Sequence, residues 1–201
     1  MPFSVFGQMD IKPFVVVLDA GHGGKDSGNA HNGLKESKIA LDVTLKVGKL
    51  LESNPNLSVH YTRKTDVFLG LDERAKIANN LNADLFVSIH CNGFHKSSAN
   101  GTETFVLALH NNNANLEIAK KENSVIFLEE NYEEKYEGFD PNNPASFIGL
   151  NIMQEDYLDQ SIKAAAAIQH NFTKTSGLYN RGVKQAGLAV LRLTYMPSIL
   201  V

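Results

Sequence analysis

Three side chains of the sequence stand where they can meet and hold a metal ion: His22, Glu36 and His90. Each histidine follows an apolar run that predicts a buried strand, and Glu36 opens the helix predicted after the first of these strands. Zinc hydrolases commonly hold their ion with three nitrogen or oxygen ligands and leave one position for water. These residue types at these positions therefore favour a zinc site of two imidazoles and one carboxylate.

The other five histidines have no converging partner. They lie in predicted polar loops, on an edge-like strand or on a helix face: His31, His60, His95, His110 and His170. Cys91 follows His90, but successive side chains of a strand point to opposite sides, so we expect its thiol to pack rather than to bind metal. The pattern alone leaves a structural alternative open. In it, His22 and His90 are hydrogen-bonded structural residues and Glu36 is an acid favoured by the helix dipole.

The elements that position these residues alternate between strand and helix. Val15–Leu18 form an apolar run, and the glycines within 21–24 allow a sharp turn after it. In open α/β sheets, ligands bind at the carboxyl ends of the strands, where both histidines stand. Further strands are predicted over 57–62, 84–89, 102–109, 189–192 and 198–201, and helices over 36–53, 71–81 and 155–175. The alternation predicts an α/β fold with a mostly parallel central sheet and helices on both faces.

Length and composition limit the organisation and the partners. The 201 residues suffice for one domain, which we place at 13–201, and residues 1–12 are expected to be a linker or non-native residues. A net charge of −3 gives no reason to expect a nucleic-acid partner, and the single cysteine excludes an internal disulfide. No apolar run reaches the roughly 18 residues of a membrane helix, and the N-terminal residues lack the features of a signal peptide. We expect a monomer without an integral membrane segment.

Several sequence blocks resemble, in the same order, those of one known family. The blocks are VLDAGHGG at 17–24, Lys35-Glu36, Tyr61–Arg63 followed by Asp66, Leu71 and Arg74, Ala83–His90 followed by Asn92, Arg181–Val183, Val190–Arg192 and Met196–Ser198. Together they resemble the catalytic domain of the AmiC-type zinc-dependent N-acetylmuramoyl-L-alanine amidases, amidase family 3, over nearly the whole chain. The resemblance implies a phosphorylase/hydrolase-like α/β fold, Zn²⁺ as cofactor, peptidoglycan as substrate and a location in the periplasm or cell envelope.

The resemblance also assigns the ligands and the reaction. Carried over to this sequence, the zinc ligands are His22, Glu36 and His90. The implied reaction is hydrolysis of the amide between the lactyl group of N-acetylmuramic acid and the L-alanine of the stem peptide. In the family, a glutamate that follows the last strand acts as general base, and this sequence ends at Val201, where that strand ends. We therefore expect a C-terminally truncated domain that hydrolyses peptidoglycan slowly or not at all, which a turnover assay tests.

Three arginines within the matching blocks are further candidates for a role. Arg192 is a candidate cation for the oxyanion that forms during amide hydrolysis. Arg63 and Arg74 are instead expected to form structural ion pairs. No other residue of the chain is assigned a catalytic role.

A polar, charged segment over about 111–152 is longer than a strand-to-helix connection requires. It resembles the regulatory insert of the AmiC-type subgroup, in which a helix lies over the site and presents a glutamate to zinc. Within Ala119–Asn123 the matching residue is Glu122, the candidate inhibitory fourth ligand. The resemblance thus implies an autoinhibited enzyme that a protein activator opens. The alternative is that Glu122 is merely a solvated acid. Other acids of the segment are Glu129, Glu130, Glu133 and Glu134.

Two other functional classes stay open. One is a different zinc peptidase or deacetylase, which would cleave a free peptide or an N-acetyl sugar rather than release intact stem peptides. The other is a metal-binding or partner-binding module without catalysis, which the expected absence of the base favours for this chain. Product analysis on purified sacculi separates the two enzymes, and metal analysis with and without a chelator tests zinc binding.

Overall fold

The computed structural model describes residues 12–93, 99–108, 115–136 and 155–201. The strands are β1 (Phe14–Ala20), β2 (Ala30–His31), β3 (Leu34–Lys35), β4 (Leu57–Tyr61), β5 (Leu85–Ile89), β6 (Thr102–Leu107), β7 (Asn180–Ala186) and β8 (Ser198–Leu200). The α-helices are α1 (Glu36–Leu51), α2 (Leu71–Asn80), α3 (Leu116–Asn123), α4 (Tyr132–Lys135), α5 (Glu155–Ser176) and α6 (Ala189–Arg192), and a 3₁₀ helix covers Ser124–Leu128.

Six of the strands form one sheet in the order β4-β1-β5-β8-β6-β7. All neighbours are parallel except β6 and β8, which pair antiparallel at Phe105 and Leu200. Ala20 at the end of β1 pairs with Ile89 at the end of β5. The chain therefore leaves the sheet toward His22 and toward His90 from adjacent points of one edge.

Helices cover both faces of this sheet, as the alternation of elements predicts. Alternate residues of β1 point to opposite faces, which is why Val15–Leu18 are all buried. On one face, Val16 and Leu18 pack in a cluster that includes residues of α1 and α5. On the other face, Val15 and Val17 belong to a cluster with residues of α2, α3 and α6. The mostly parallel α/β fold is thus confirmed.

One prediction of secondary structure is wrong, and one strand of the sheet was not predicted. Residues 189–192 form the short helix α6 rather than a strand. Every residue of this run is buried, so its apolar character carries no periodicity that separates helix from strand. The edge strand β7, Asn180–Ala186, was not predicted from the sequence. Its first six residues are exposed or half-buried and it contains only two apolar side chains, so the alternation typical of a strand is weak.

Several predictions concern residues outside the described ranges. They include residues 1–11, His95, His110 and the parts of the expected insert at 111–114 and 137–152. The described part of that insert is 115–136, which carries α3, the 3₁₀ helix and α4. Within the described ranges, none of the helices combines the length and the apolar character that crossing a lipid bilayer requires.

Candidate metal centre

His22 is held in a strained backbone conformation at the end of β1. Its φ of +58° lies in the left-handed region, which a residue with a β-carbon rarely adopts. Arg74 Nη2 donates to the His22 carbonyl at 2.7 Å, and Arg63 Nη2 donates to the Gly21 carbonyl at 2.7 Å. Asp26 Oδ2 lies 2.8 Å from His22 Nδ1 and fixes the ring. The opposite ring nitrogen, Nε2, is thereby directed to the edge of the sheet.

His90 lies directly against the turn that carries His22. A β-carbon added at Gly21 would overlap the imidazole of His90, so the close approach of the two segments requires glycine at this position. The His90 side chain is 8% exposed. Its ring centroid lies 4.8 Å from that of His22. The two imidazoles are therefore neighbours, as the pairing of β1 with β5 demands.

Glu36 is the first residue of α1, and the preceding loop fixes where this helix begins. The backbone N–H of Glu36 donates to the Asn29 carbonyl at 2.8 Å, and that of Ser37 donates to the Ser27 carbonyl at 3.1 Å. The Glu36 side chain is fully buried, with Oε1 accepting from the Cys91 backbone N–H at 2.8 Å. Every residue that contacts the carboxylate thus lies at the same edge of the sheet.

The three predicted ligands converge, and Glu122 joins them from α3. Glu36 Oε1 lies 3.3 Å from His22 Nε2 and 3.3 Å from His90 Nδ1. Glu122 Oε2 lies 3.3 Å from His22 Nε2 and 3.1 Å from His90 Nδ1. One donor atom from each of the four residues lies within 4.8 Å of all the others. We refer to these four residues as the His/Glu cluster.

The donor atoms of the cluster suit a zinc ion. His22 Nε2, His90 Nδ1 and both Glu122 oxygens are buried and make no hydrogen bond among the described residues. Burying such atoms costs free energy unless a hydrogen bond or a metal ion takes the place of the lost water. Ligands about 2.0–2.1 Å from a tetrahedral zinc lie roughly 3.3 Å apart. The nitrogen-to-oxygen distances of 3.1–3.3 Å match that separation. The chemistry and the spacing of the donors both fit.

The pKa shifts within the cluster indicate that its two carboxylates favour positive charge beside them. Burial by itself would lower the pKa of His22, but the hydrogen bond with Asp26 and the nearby carboxylates of Glu122 and Glu36 raise it to about 11. The pKa of His90 is likewise lowered by burial but raised overall to about 9, chiefly by the charge of Glu122. Burial would raise the pKa of Glu122, but the charge of His90 and the proximity of both imidazoles hold it at about 2. The carboxylates of Glu36 and Glu122 therefore favour positive charge within the cluster. Either protons on the histidines or a divalent cation can supply it.

A buried ion pair lies directly behind the cluster. Arg74 Nη1 donates to Asp19 Oδ1 at 2.7 Å, with side chains that are 2% and 1% exposed. Thr62 and Ser88 donate their hydroxyls to the same carboxylate at 2.6 and 2.7 Å. The structural ion pair predicted for Arg74 is confirmed. Arg63 instead bonds to backbone carbonyls, including that of Ala20 at 2.9 Å.

The described part of the insert is docked on the body at several points. Asn123 Nδ2 donates to the Gly187 carbonyl at 2.8 Å, and its Oδ1 accepts from the Ala189 N–H at 2.8 Å. Lys25 Nζ donates to the Leu128 carbonyl at 2.6 Å. Glu122, Asn123 and Val125 line a small cavity beside His22 and His90. This segment therefore forms one wall of the site.

Glu129 departs from the expectation of a solvated acid. It is 7% exposed, whereas Glu130, Glu133 and Glu134 are exposed. Its Oε1 accepts from the Leu71 N–H at 2.9 Å and from the Tyr136 hydroxyl at 2.7 Å. The insert thereby caps the first turn of α2, whose own N-cap residue is a glycine and has no side chain to do so.

The side chains of the remaining candidates are not part of the cluster. Arg192 is buried at the end of α6 and is absent from the residues that line the cavity, so its proposed contact with an oxyanion stays a prediction. The thiol of Cys91 is not part of the cluster, although its backbone N–H contacts Glu36. His60 Nε2 is hydrogen-bonded to Ser58 Oγ at 3.0 Å, and His31 and His170 are exposed.

Sequence reasoning missed two residues that support the cluster, Asp26 and Asn29. Asp26 contacts His22 four residues earlier in the chain, a spacing that a glycine-rich turn makes available. Asn29 Nδ2 donates to Glu36 Oε2 at 2.6 Å. Both residues stand in a polar loop whose composition is that of any surface turn, so only the convergence of the ligands reveals their role.

Comparison with known proteins agrees with this geometry. Residues 16–201 match the model of the family described as N-acetylmuramoyl-L-alanine amidase. The chain is 31% identical to the amidase AmiC of Escherichia coli and 33% identical to AmiA of the same species, with 94% and 93% of the chain covered. It spans 45% and 64% of the length of these two relatives. A solved structure of the CwlD amidase from Clostridioides difficile in complex with the GerS lipoprotein superposes with a TM-score of 0.64 at 25% identity, over 93% of this chain and 80% of that one. The chain belongs to the N-acetylmuramoyl-L-alanine amidase family.

Proposed function

We propose that this chain is a zinc-dependent hydrolase of peptidoglycan, with His22, Glu36 and His90 as its zinc ligands. Its substrate is the amide between the lactyl group of N-acetylmuramic acid and L-alanine, and it works in the periplasm or cell envelope. The observation that carries the proposal is the meeting of two imidazoles and a buried carboxylate, with unsatisfied nitrogens, in a chain of the amidase family.

A zinc ion held by His22, Glu36 and His90 would supply Lewis-acid chemistry, polarising the scissile carbonyl and lowering the pKa of a water toward about 7. The chain's own residues hold this site rigid. Asp26 accepts from His22 Nδ1, which selects the tautomer that leaves Nε2 free to bind metal. Gly21 leaves room for the ring of His90, because it has no β-carbon. The Cys91 N–H orients the Glu36 oxygen that faces the cluster. Arg192 remains the candidate for the oxyanion on the resemblance alone.

The position expected for the general base is compatible with this arrangement. The N–H of His90 donates to the Val201 carbonyl at 2.9 Å, and the N–H of Val201 donates to the Ser88 carbonyl at 2.9 Å. The end of β8 therefore lies beside a metal ligand. A glutamate placed after this strand, as in the family resemblance, would stand at the same edge of the sheet.

The insert provides a basis for autoinhibition. Glu122 is 6% exposed and its Oε2 lies within 3.3 Å of a nitrogen of each histidine, which is where a fourth ligand stands. A fourth protein ligand leaves no coordination position for water, as in closed structural zinc sites. Activation then requires a partner protein that binds the displaced insert better than the cluster does. The CwlD amidase, which was solved in complex with a lipoprotein, shows an amidase of this fold held by a protein partner.

The test is the identity of the product released from purified sacculi. Incubation with the protein is expected to release intact stem peptides with new N-terminal L-alanine, detected by mass spectrometry, and a chelator or His90→Ala abolishes the release. Product identity is chosen rather than rate, because inhibition by Glu122 would slow turnover without changing the product. Cleavage between stem-peptide residues, or loss of acetyl groups, would instead indicate a peptidase or a deacetylase.

Autoinhibition has its own test. Glu122→Ala is expected to increase product release severalfold, because it frees a coordination position. Glu130→Ala is the matched control, since Glu130 is an exposed acid of the same segment. Equal release by the wild type and both variants would rule out inhibition by Glu122.

A further inference from the structure

The side chain of Asn29 lies between a ligand of the cluster and the insert. Its Nδ2 donates to Glu36 Oε2 at 2.6 Å and to the Cys91 carbonyl at 3.1 Å. Its Oδ1 accepts from Lys121 Nζ. All polar atoms of the amide are therefore used, and the two acceptors on one side and the ammonium on the other define its orientation.

Asn29 controls the oxygen of Glu36 that faces away from the cluster. Glu36 Oε2 accepts from both the backbone N–H of Asn29, at 2.9 Å, and its side-chain amide. The other oxygen, Oε1, faces both histidines and accepts from Cys91 N–H. With Oε2 held by two donors, the carboxylate cannot rotate to present both oxygens to the cluster. Asn29 thus leaves Oε1 as the oxygen of Glu36 that faces the histidines and would bind a metal ion there.

The surroundings of the amide are built to hold it. A β-carbon at Gly93 would overlap Asn29 Oδ1, so the amide packs directly on the backbone that follows His90 and Cys91. This contact places Asn29 between the loop after β1 and the loop after β5. A displacement of the amide therefore acts on both segments that carry ligands.

The insert reaches the cluster by two adjacent residues of α3. Glu122 contacts the two histidines directly. Lys121, the residue before it, reaches Glu36 through the amide of Asn29. We propose that Asn29 is a positioning residue of the metal centre and that Lys121 couples the seating of the insert to Glu36 through it. This inference rests on the proposed function, because it needs a metal at the cluster.

Zinc affinity of the 201-residue chain, measured by competition with a chromophoric chelator, tests the positioning role. Asn29→Ala is expected to weaken zinc binding about tenfold, at the lower end of the range for residues that orient a ligand, because the backbone N–H of Asn29 still holds Glu36. The visible spectrum of the Co²⁺-substituted protein should shift as well, since it reports ligand geometry. Asn171→Ala, at an exposed amide of α5, is the matched control and should leave both unchanged.

A second variant protects the test from a simple loss of folding. Gly93→Ala keeps the amide but displaces it, and it should weaken zinc binding in the same direction as Asn29→Ala. The melting temperature of the metal-free protein reports folding separately. If Asn29→Ala leaves the zinc affinity and the Co²⁺ spectrum unchanged while His90→Ala abolishes binding, the positioning role of Asn29 is overturned. The proposed function is not affected by that result. A wild-type protein that binds zinc no better than His90→Ala overturns the proposed function with it.

A double-mutant cycle tests the coupling. Lys121→Ala is expected to weaken zinc binding two- to fivefold when residue 29 is the wild-type asparagine. In a chain that already carries Asn29→Ala, it is expected to have no further effect. Lys120→Ala is the control, because Lys120 contacts Glu117 of its own helix rather than Asn29. Independent, multiplicative effects of Asn29→Ala and Lys121→Ala would show that no coupling passes through the amide.

Discussion

Replacement of Asp19 by asparagine tests whether the buried ion pair behind the cluster sets both stability and metal binding. The Asp19 carboxylate accepts three hydrogen bonds, from Thr62, Ser88 and Arg74, and all three groups are buried with it. Asparagine could keep an oxygen toward Arg74 and Thr62, and its amide nitrogen would then face the Ser88 hydroxyl, which can turn to accept. Arg74 would keep its charge but lose the carboxylate that it contacts. Asp19→Asn therefore leaves a buried positive charge without its ion-pair partner.

The magnitude follows from how buried the pair is. Arg74 and Asp19 are 2% and 1% exposed, so water cannot take the place of the lost partner. Breaking such a pair costs about 3–5 kcal/mol. For a domain of this size, 1 kcal/mol corresponds to roughly 2–4 °C in melting temperature, so a decrease of about 6–20 °C is expected. Because Arg74 Nη2 also donates to the His22 carbonyl, zinc affinity should fall together with stability.

The pH dependence of stability shows whether the charge of Asp19 stabilises the folded state. Burial by itself raises the pKa of Asp19, but the charge of Arg74 and the hydrogen bonds from Thr62, Ser88 and Arg74 outweigh it and hold the pKa below its ordinary value. A carboxyl with a lowered pKa in the folded state contributes stability that is complete above its unfolded pKa of about 3.9. That contribution is lost as the pH falls through the folded pKa. The difference between wild type and Asp19→Asn should therefore be constant between about pH 5 and 8 and shrink below about pH 4.

Thermal unfolding followed by circular dichroism measures this difference across the pH range. Asp42→Asn is the matched control, since Asp42 is exposed on α1 and its change should stay within about 0.5 kcal/mol. A melting temperature of Asp19→Asn within 2 °C of the wild type at pH 7 would refute the reasoning, given the expected fall of about 6–20 °C. So would a difference that does not shrink in acid.

Two further predictions concern zinc and the insert. Zinc at a hundredfold excess over its dissociation constant should stabilise the chain by about 2.7 kcal/mol, or roughly 5–11 °C, and His90→Ala should remove this shift in a thermal-shift assay with and without chelator. Glu129→Ala removes the cap that the insert supplies to Leu71 N–H and leaves the Tyr136 hydroxyl without its acceptor. It should cost about 1–3 kcal/mol and speed limited proteolysis of residues 115–136, whereas Glu134→Ala, at an exposed acid, should change neither.

The sequence sufficed to predict the central strands and the convergence of His22, Glu36 and His90, because local pattern and position agree there. An apolar run such as Val15–Leu18 is buried on both faces only in the middle of a covered sheet, and a polar residue at its carboxyl end then lies at the edge where ligands bind. The alternative of His22 and His90 as hydrogen-bonded core residues is disfavoured by their facing nitrogens, which have no hydrogen-bond partner among the described residues.

Long-range packing determines what the sequence did not reveal. Glu122 and Glu129 have the same side chain and stand in the same charged segment, yet one faces the histidines and the other caps α2. The cap joins residues 58 positions apart, which no local pattern records. The role of Asn29 was missed for the same reason, because its partner Lys121 is 92 positions away in the sequence. The edge strand β7 and the helix α6 were missed or misassigned because their packing, rather than their periodicity, selects the conformation.

The proposed autoinhibition through Glu122 has a thermodynamic consequence for the insert. If Glu122 binds the same ion as His22 and His90, docking of α3 tightens zinc binding by some factor, and zinc must then stabilise the docked α3 by that same factor. Removal of zinc should therefore loosen α3 and increase hydrogen exchange of the amides over Leu116–Asn123. In Glu122→Gln the link is broken, and exchange of these amides should become independent of zinc. Exchange that is insensitive to zinc in the wild type would mean that Asn123 and Glu129, rather than the metal, hold the insert on the body.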